Sequence, residues 1–396
     1  MVQEGEARAE ETHHLPHPFK TFPKIIIPKE LDGEMKGKKH IYKIEPYQPG
    51  KPIEEVKREL GLSDVIKLAS NENPLGPSPR ALEAMRKSLE NVSYYPDGNC
   101  AILREKLSQK LGFPPSTFVF GNGVDEIIHF IGLAFLDEGD EAIMVDPSFV
   151  RYEAAVLLNK AICRKIPLRD FQYDVDGIID AINERTKVIF IANPNNPTGT
   201  FLSKEKLGRL VQEAEGKLIV LDEAYYEFVD DSSFPDSLSY LREGKDLIIL
   251  RTFSKIYGLA GLRIGYGVAK EETIQAIEHT REPFNVNYLA QVAAVAALDD
   301  EEHLRRTQRT IWEGKRYLYE QFEKMGLFYL PTQANFIFVD VKRDSREVFQ
   351  ALLREGVIVR TGDIFGCPTF LRVSIGTMEQ NERFIKALRK VLGGAD

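Results

Sequence analysis

From about residue 80 the chain alternates between two hydrophobic patterns. In "RALEAMRKSLENV" the apolar residues Leu82, Met85, Leu89 and Val92 recur on one face of a helix. Short apolar runs then follow: "EAIMV", "KVIFIA", "KLIVLDEA", "DLIILRT" and "RIGYGVA". Helical stretches such as "VDEIIHFIGLAFL" and "KEKLGRLVQEAE" separate many of them. Strands alternating with helices predict an α/β fold with a largely parallel sheet covered on both faces.

Near Asn287 the pattern changes. "NYLAQVAAVAAL" is apolar, and the stretch after Asp299 and Asp300 is amphipathic to about Met325. A smaller unit then reads strand ("NFIFVDV"), helix ("REVFQALLREG"), strand ("VIVRT"), strand ("FLRVSIG") and helix ("NERFIKALRKVL"). The expected division is an N-terminal arm over 1–38, a segment over 39–76 that packs with the small domain, a large domain over 77–288 and a small one over 289–396. The arm is charged, carries Pro16, Pro18, Pro23 and Pro28, and has no helical period. It reads as mobile, with "KIIIPKELDG" able to dock on the body or a neighbouring subunit. "HHLPH" can take a stray metal ion but reads first as solvated.

Charge narrows the partners. A formal net charge of -8 and a pI near 5.6 disfavour a nucleic-acid ligand, which wants a basic face. Cys100, Cys163 and Cys367 are too scattered for a disulfide framework, which points to the reducing cytoplasm. There is no zinc-ligand spacing and no apolar run long enough to span a membrane. The acidic start is neither a secretory signal nor a transit peptide.

In open α/β sheets ligands sit beyond the carboxyl ends of the strands, and the polar residues of interest fall there. Asn196 follows "KVIFIA", Asp222 ends "KLIVLD", and Ser254 and Lys255 follow "DLIILRT". A carboxylate at the end of an apolar strand is costly unless a positive group meets it, and a protonated pyridine nitrogen would serve. Alone, Asp222 equally suits a helix cap beside a core tyrosine. Tyr225 and Asn196 can both reach an oxygen on such a ring. Lys255 offers an amine for an aldehyde. Thr252, Ser254 and the forked guanidinium of Arg263 suit phosphate oxygens. In "FVFGNGVDEIIHF", Gly121 and Gly123 permit a tight turn into a helix whose first N–H groups, at Val124 and Asp125, favour an anion. Asp125 is also a ready helix cap. Phe149 and Tyr152, in "DPSFVRYE", follow a strand; an aromatic there can stack on a flat ring or simply fill the core. Tyr152 is assigned to the substrate side. Together the parts describe a site for pyridoxal 5'-phosphate.

The motifs "LASNENPLGPSP", "YYPDGNCAILREKL", "FGNGVDEII", "NPNNPTGT", "LDEAYYEF", "RTFSKIYGLAGLRIGYG", "REPFNVN" and "LRVSIGT" occur in the order seen in histidinol-phosphate aminotransferases. The resemblance runs from about residue 40 to the C-terminus, and "PYQPGKPIEEVKRELG" is similar to that branch in particular. It implies a fold-type I pyridoxal-phosphate-dependent transferase, with a large, mostly parallel seven-stranded sheet domain beside a smaller α/β domain. It implies that Lys255 carries the cofactor and the migrating proton, and that Arg372 grips the α-carboxylate with help from Asn196. It also implies that Tyr47 and Arg360 close over the substrate, and that Tyr95 reaches the phosphate in the partner subunit of a homodimer.

The reaction implied is ping-pong transamination of L-histidinol phosphate, the amino donor, with the 2-oxo acid 2-oxoglutarate, as in histidine biosynthesis. The same scaffold also suits an aromatic amino-acid aminotransferase, singly or as a dual activity. A phosphothreonine-type decarboxylase and a non-catalytic cofactor-binding protein stand further off.

Overall fold

The computed structural model describes residues 37–47 and 50–393. The arm, with its "KIIIPKELDG" and "HHLPH" stretches, therefore lies outside the described residues but for its last two positions. A short strand, β1 (Ile66–Lys67), lies in the N-terminal segment. The large sheet holds β2 (Phe118–Gly121), β3 (Glu141–Asp146), β4 (Ile162–Pro167), β5 (Thr186–Ala192), β6 (Leu218–Asp222), β7 (Leu247–Thr252) and β8 (Gly265–Ala269). Its seven strands stand in the order β2-β8-β7-β6-β5-β3-β4. β8 runs against both its neighbours, and the other pairings are parallel. The central strands are apolar on both faces because helices cover both: β6 and β7 are buried at every position. Edge strand β4 is largely exposed, with the polar sequence "ICRKIP".

The small domain pairs β9 (Phe328–Leu330), β10 (Phe336–Asp340), β12 (Arg360–Thr361) and β13 (Phe370–Ser374) in an antiparallel sheet. The run "VIVRT" does not stay in one strand. Val357–Ile358 forms β11 and pairs in parallel with β1, whereas Arg360–Thr361 turns to join β13. The N-terminal segment is thus fastened to the small domain by backbone hydrogen bonds, including Leu68 N–H to Ile358 O at 2.7 Å and Ser374 N–H to Leu68 O at 2.9 Å.

The helix Tyr288–Ala297 begins where the sequence pattern starts the small domain, but its alanine-rich face packs on the helix Pro79–Ser88 of the large domain. The helix Glu301–Lys324 then carries the chain across. Its Trp312 indole donates to Phe228 O at 2.8 Å and Gln308 to Glu227 O at 2.6 Å. Those carbonyls belong to the loop after β6.

A second seam joins the turn "NPNNPTGT" to the small domain. Gly199 has φ +73° and its carbonyl accepts from Gln333 N–H at 2.9 Å. A Cβ at Gly199 would run into the Thr332 side chain, which is buried. Gly199→Ala combines left-handed backbone strain with overpacking, so a stability loss of about 2–5 kcal/mol is expected. Urea denaturation of the variant against the parent chain checks this.

Candidate active site

The carboxyl ends of β5, β6 and β7 open on a cavity of about 880 Å³ between the two domains. Every residue that the sequence assigns to cofactor or substrate lines it except Tyr95. Tyr95 is 82% exposed and stacks on Phe284 at 4.8 Å, outside the lining of its own chain's cavity.

Asp222 ends β6 and is buried. Both hydrogen bonds to its carboxylate come from neutral donors, the Tyr152 hydroxyl at 2.8 Å and the Ala224 N–H at 3.2 Å. Burial pushes its carboxyl up to about 6 while those donors pull it down. The sequence puts Tyr152 beside the substrate; in the structure it lines the cavity at the Asp222 end. Tyr152 is fully buried, its ring lies flat on Phe190 at 5.0 Å, and its hydroxyl is committed to Asp222. The aromatic that remains partly open to the cavity is Phe149, edge-on to Tyr152 at 5.6 Å.

Lys255 follows β7, and its Nζ donates to Ser70 O at 3.1 Å. Burial, helped by the Arg372 guanidinium, lowers its ammonium to about 8. An amine in that range is partly neutral near pH 7 and hence a competent nucleophile and base.

Arg372, on β13, reaches in from the small domain. Its Nη1 donates to Asn196 Oδ1 at 2.6 Å and its Nη2 to Ala69 O at 2.7 Å, while Nε is buried with no partner. A buried guanidinium whose hydrogen bonds go to neutral oxygens is arranged for an anion. Arg360 is half-buried and lies 5.9 Å from the ring of exposed Tyr47.

Thr252 and Ser254 are buried at the end of β7, and Thr252 Oγ1 accepts from Ser254 N–H at 3.0 Å. Opposite them the helix Val124–Phe135 starts after Gly123, at φ +82°. Arg263, itself at φ 57°, contacts Asp125 at 3.4 Å. A Cβ on Gly123 would stand 2.5 Å from the Arg263 guanidinium and displace it, and the φ of +82° is a backbone conformation that favours glycine.

Three contributors escape the sequence reading. Ser70 holds Lys255 through its carbonyl. Asn71 donates from Nδ2 to the Tyr225 hydroxyl at 3.0 Å. Asp363 lines the mouth and holds Arg346 at 2.6 Å. Asn71 lies inside the quoted motif "LASNENPLGPSP", the one signal that points to it. Among the described residues, no His, Cys, Asp or Glu cluster suits a metal ion, and no helix is long and apolar enough to cross a membrane.

Strand ends that open on a two-domain cleft, lined by both a lysine and a buried carboxylate, define a class. The sequence signature of the "Aminotransferase class I and II" family matches residues 63–388, and the chain belongs to that family. Within it, the histidinol-phosphate aminotransferase of Moorella thermoacetica is 55% identical over 359 residues, covering 90% of this chain and 93% of that protein. That of Caldicellulosiruptor saccharolyticus is 50% identical over 88% of this chain and 98% of its own length. Among solved structures, the Sinorhizobium meliloti histidinol-phosphate aminotransferase in complex with pyridoxal-5'-phosphate has a TM-score of 0.81. It is 27% identical and covers 87% of this chain and 95% of its own.

The depressed ammonium has a testable consequence. In the cofactor-free chain Lys255 should acylate with a midpoint near pH 8 rather than near 10.5, and Arg372→Met should move that midpoint upward. Competitive labelling followed by peptide mass spectrometry reads both. The same shift bears on folding: the cost of burying the ammonium is full below pH 8 and fades as pH rises towards 10.5. A midpoint near 10.5 in the parent chain would contradict the burial argument.

Proposed function

We propose that the chain transfers the amino group of L-histidinol phosphate to 2-oxoglutarate, giving imidazole acetol phosphate and L-glutamate, with pyridoxal 5'-phosphate as cofactor. The observation that carries this reading is the buried Arg372 guanidinium, bound only to neutral oxygens in a cavity shared with Lys255 and Asp222. The similarity to histidinol-phosphate aminotransferases at 55% and 50% identity supports the choice of substrates.

The residues present fit the cofactor. Asp222 is a buried carboxylate supplied with neutral donors, suited to a cationic ring nitrogen. Thr252, Ser254, Arg263 and the helix start at Val124 and Asp125 form an anion cradle. Tyr225 and Asn196 flank the place of the ring oxygen, and Phe149 offers a face for the ring. When bound, the cofactor supplies an electron sink for the pair left on the substrate's α-carbon.

Lys255 Nζ would hold the cofactor through its aldehyde and, as a free amine, would take the proton from the substrate's α-carbon and carry it for return. Its depressed basicity keeps part of it neutral for that task. Arg372 orients the carboxylate of the 2-oxo acid and glutamate through a fork that also fits the donor's phosphate, and Arg360 with Tyr47 covers the outer anion. Covering the substrate excludes water from Lys255.

A second copy of the chain completes the site in this reading. Leu89, Val92, Tyr94, Tyr95, Ile102 and Phe284 are large apolar side chains left exposed on one region of the large domain. That many exposed apolar side chains mark an interface. Tyr95, exposed and outside the lining of its own chain's cavity, would serve the partner's phosphate cradle. Ile102→Asp should convert a dimer to monomer on size-exclusion with light scattering, and activity should fall with the dimer fraction.

Adding histidinol phosphate, glutamate, phenylalanine, tyrosine and phosphothreonine singly to the cofactor-loaded chain tests the substrate. Histidinol phosphate and glutamate should each change the cofactor spectrum, and carbon dioxide should not be released. Arg372→Ala should slow both half-reactions by about a hundredfold or more, and Lys255→Ala should abolish turnover. Unchanged half-reactions in Arg372→Ala would refute the shared-anion role.

A further inference from the structure

A tyrosine hydroxyl has one proton. If Tyr225 is to donate to the ring oxygen of the bound cofactor, that proton must not be spent elsewhere. The partner that decides this is Asn71, whose Nδ2 lies 3.0 Å from Tyr225 Oη. Asn71 is 1% exposed and sits at φ 56°, a left-handed conformation that asparagine tolerates better than most residues.

Asn71 is fixed on every side by the small domain. Its N–H donates to Ser374 Oγ at 2.8 Å and its carbonyl accepts from Asn335 Nδ2 at 3.0 Å. Its amide oxygen accepts from the Ser374 hydroxyl at 3.0 Å. Ser374 is itself buried. These bonds have one consistent sense. Ser374 Oγ already receives the Asn71 backbone N–H, so its own proton needs an acceptor, and the Asn71 amide oxygen is in reach. That turns the amide NH2 towards Tyr225, whose oxygen must then accept. With the amide reversed, Ser374 would receive two donors and keep a buried proton with no acceptor, which is costly.

We propose that Asn71 is a positioning residue: by donating to Tyr225, with its amide locked by Ser374, it reserves the tyrosine proton for the ring oxygen of the bound cofactor. This rests on the pyridoxal phosphate reading above. The hydrogen bond from Asn71 also counteracts burial, which on its own raises the Tyr225 phenol. Asn71→Asp keeps the size but replaces the donor with an acceptor, so Tyr225 turns its proton to the new carboxylate and away from the ring.

The test is a pH titration of cofactor absorbance in the loaded enzyme. A hydrogen bond donated to the ring oxygen draws electron density from it and eases loss of the neighbouring proton. Its loss therefore moves the absorbance midpoint to higher pH, by about one unit. Asn71→Asp should show that rise when Tyr225 is present and little of it in a Tyr225→Phe background. A charge effect alone would move both backgrounds equally, and that result, or no shift at all, overturns the proposal. Should Asn71→Asp fail to fold, Ser374→Ala unlocks the amide and should raise the midpoint in the same direction, by less; an unmoved midpoint there also overturns it. A parent chain that never develops cofactor absorbance would sink the cofactor reading and this inference together. Normal parent absorbance with unshifted variants would sink this inference alone.

Discussion

Three successive residues of the N-terminal segment hold the chemistry in place. Ala69 O receives Arg372, Ser70 O receives Lys255, and the side chain of Asn71 reaches Tyr225. A buried cation needs acceptors whether or not an anion is bound, and here the backbone supplies them. The segment is itself bonded to the small domain through Leu68 and its neighbours, while Lys255 and Tyr225 belong to the large one. The position of the two domains and the aim of the reactive side chains are therefore one variable. Anything that slides the small domain moves the carbonyls that Lys255 and Arg372 depend on.

The electrostatics of the cavity are unbalanced in a directed way. Lys255 is held to about 8 by burial and by Arg372, and Asp222 is raised to about 6 by burial. Each group is thus uncomfortable in its charged form when alone. A ligand with a cationic ring nitrogen and an anionic edge would relieve Asp222 and Arg372 together. Such a ligand stabilises the folded chain as it binds, by mass action on the native state. The strain of an amine kept near neutrality is then the same quantity that makes it a base at working pH.

Much of this is legible in the chain. Apolar runs ending in Asn196, Asp222 and Lys255 place these side chains at the carboxyl edge of a parallel sheet, because helix-covered strands leave little other pattern. Edge strand β4 is not legible, since a strand with one open side reads as polar. Nor is the split of "VIVRT" between two sheets, which depends on β1, a partner at the other end of the chain. Tyr152 reads as an aromatic near a ligand; its commitment to Asp222, 70 positions on, has no local mark. The same holds for Asn71, whose bonds span 154 positions to Tyr225 and 303 to Ser374. Local pattern encodes burial and period, whereas long-range polar pairing is encoded only by the folded topology.

The side chains next to the reactive ones show how that topology is kept rigid. Glu223 and Arg251 adjoin Asp222 and Thr252 in sequence, and consecutive residues of extended chain point to opposite faces. Glu223 and Arg251 pair through two hydrogen bonds, at 2.8 and 3.0 Å. Ser237 donates to the same carboxylate, and the Arg251 guanidinium lies 3.7 Å from the Tyr226 ring centre. The pair is buried, so neither charge can be removed singly without leaving the other uncompensated, at about 3–5 kcal/mol. It ties the ends of β6 and β7 together on the face away from the cavity. Asp222 and Thr252 thereby keep their spacing with no contact between themselves, and a cofactor spanning ring nitrogen to phosphate would require that spacing to be fixed before it arrives.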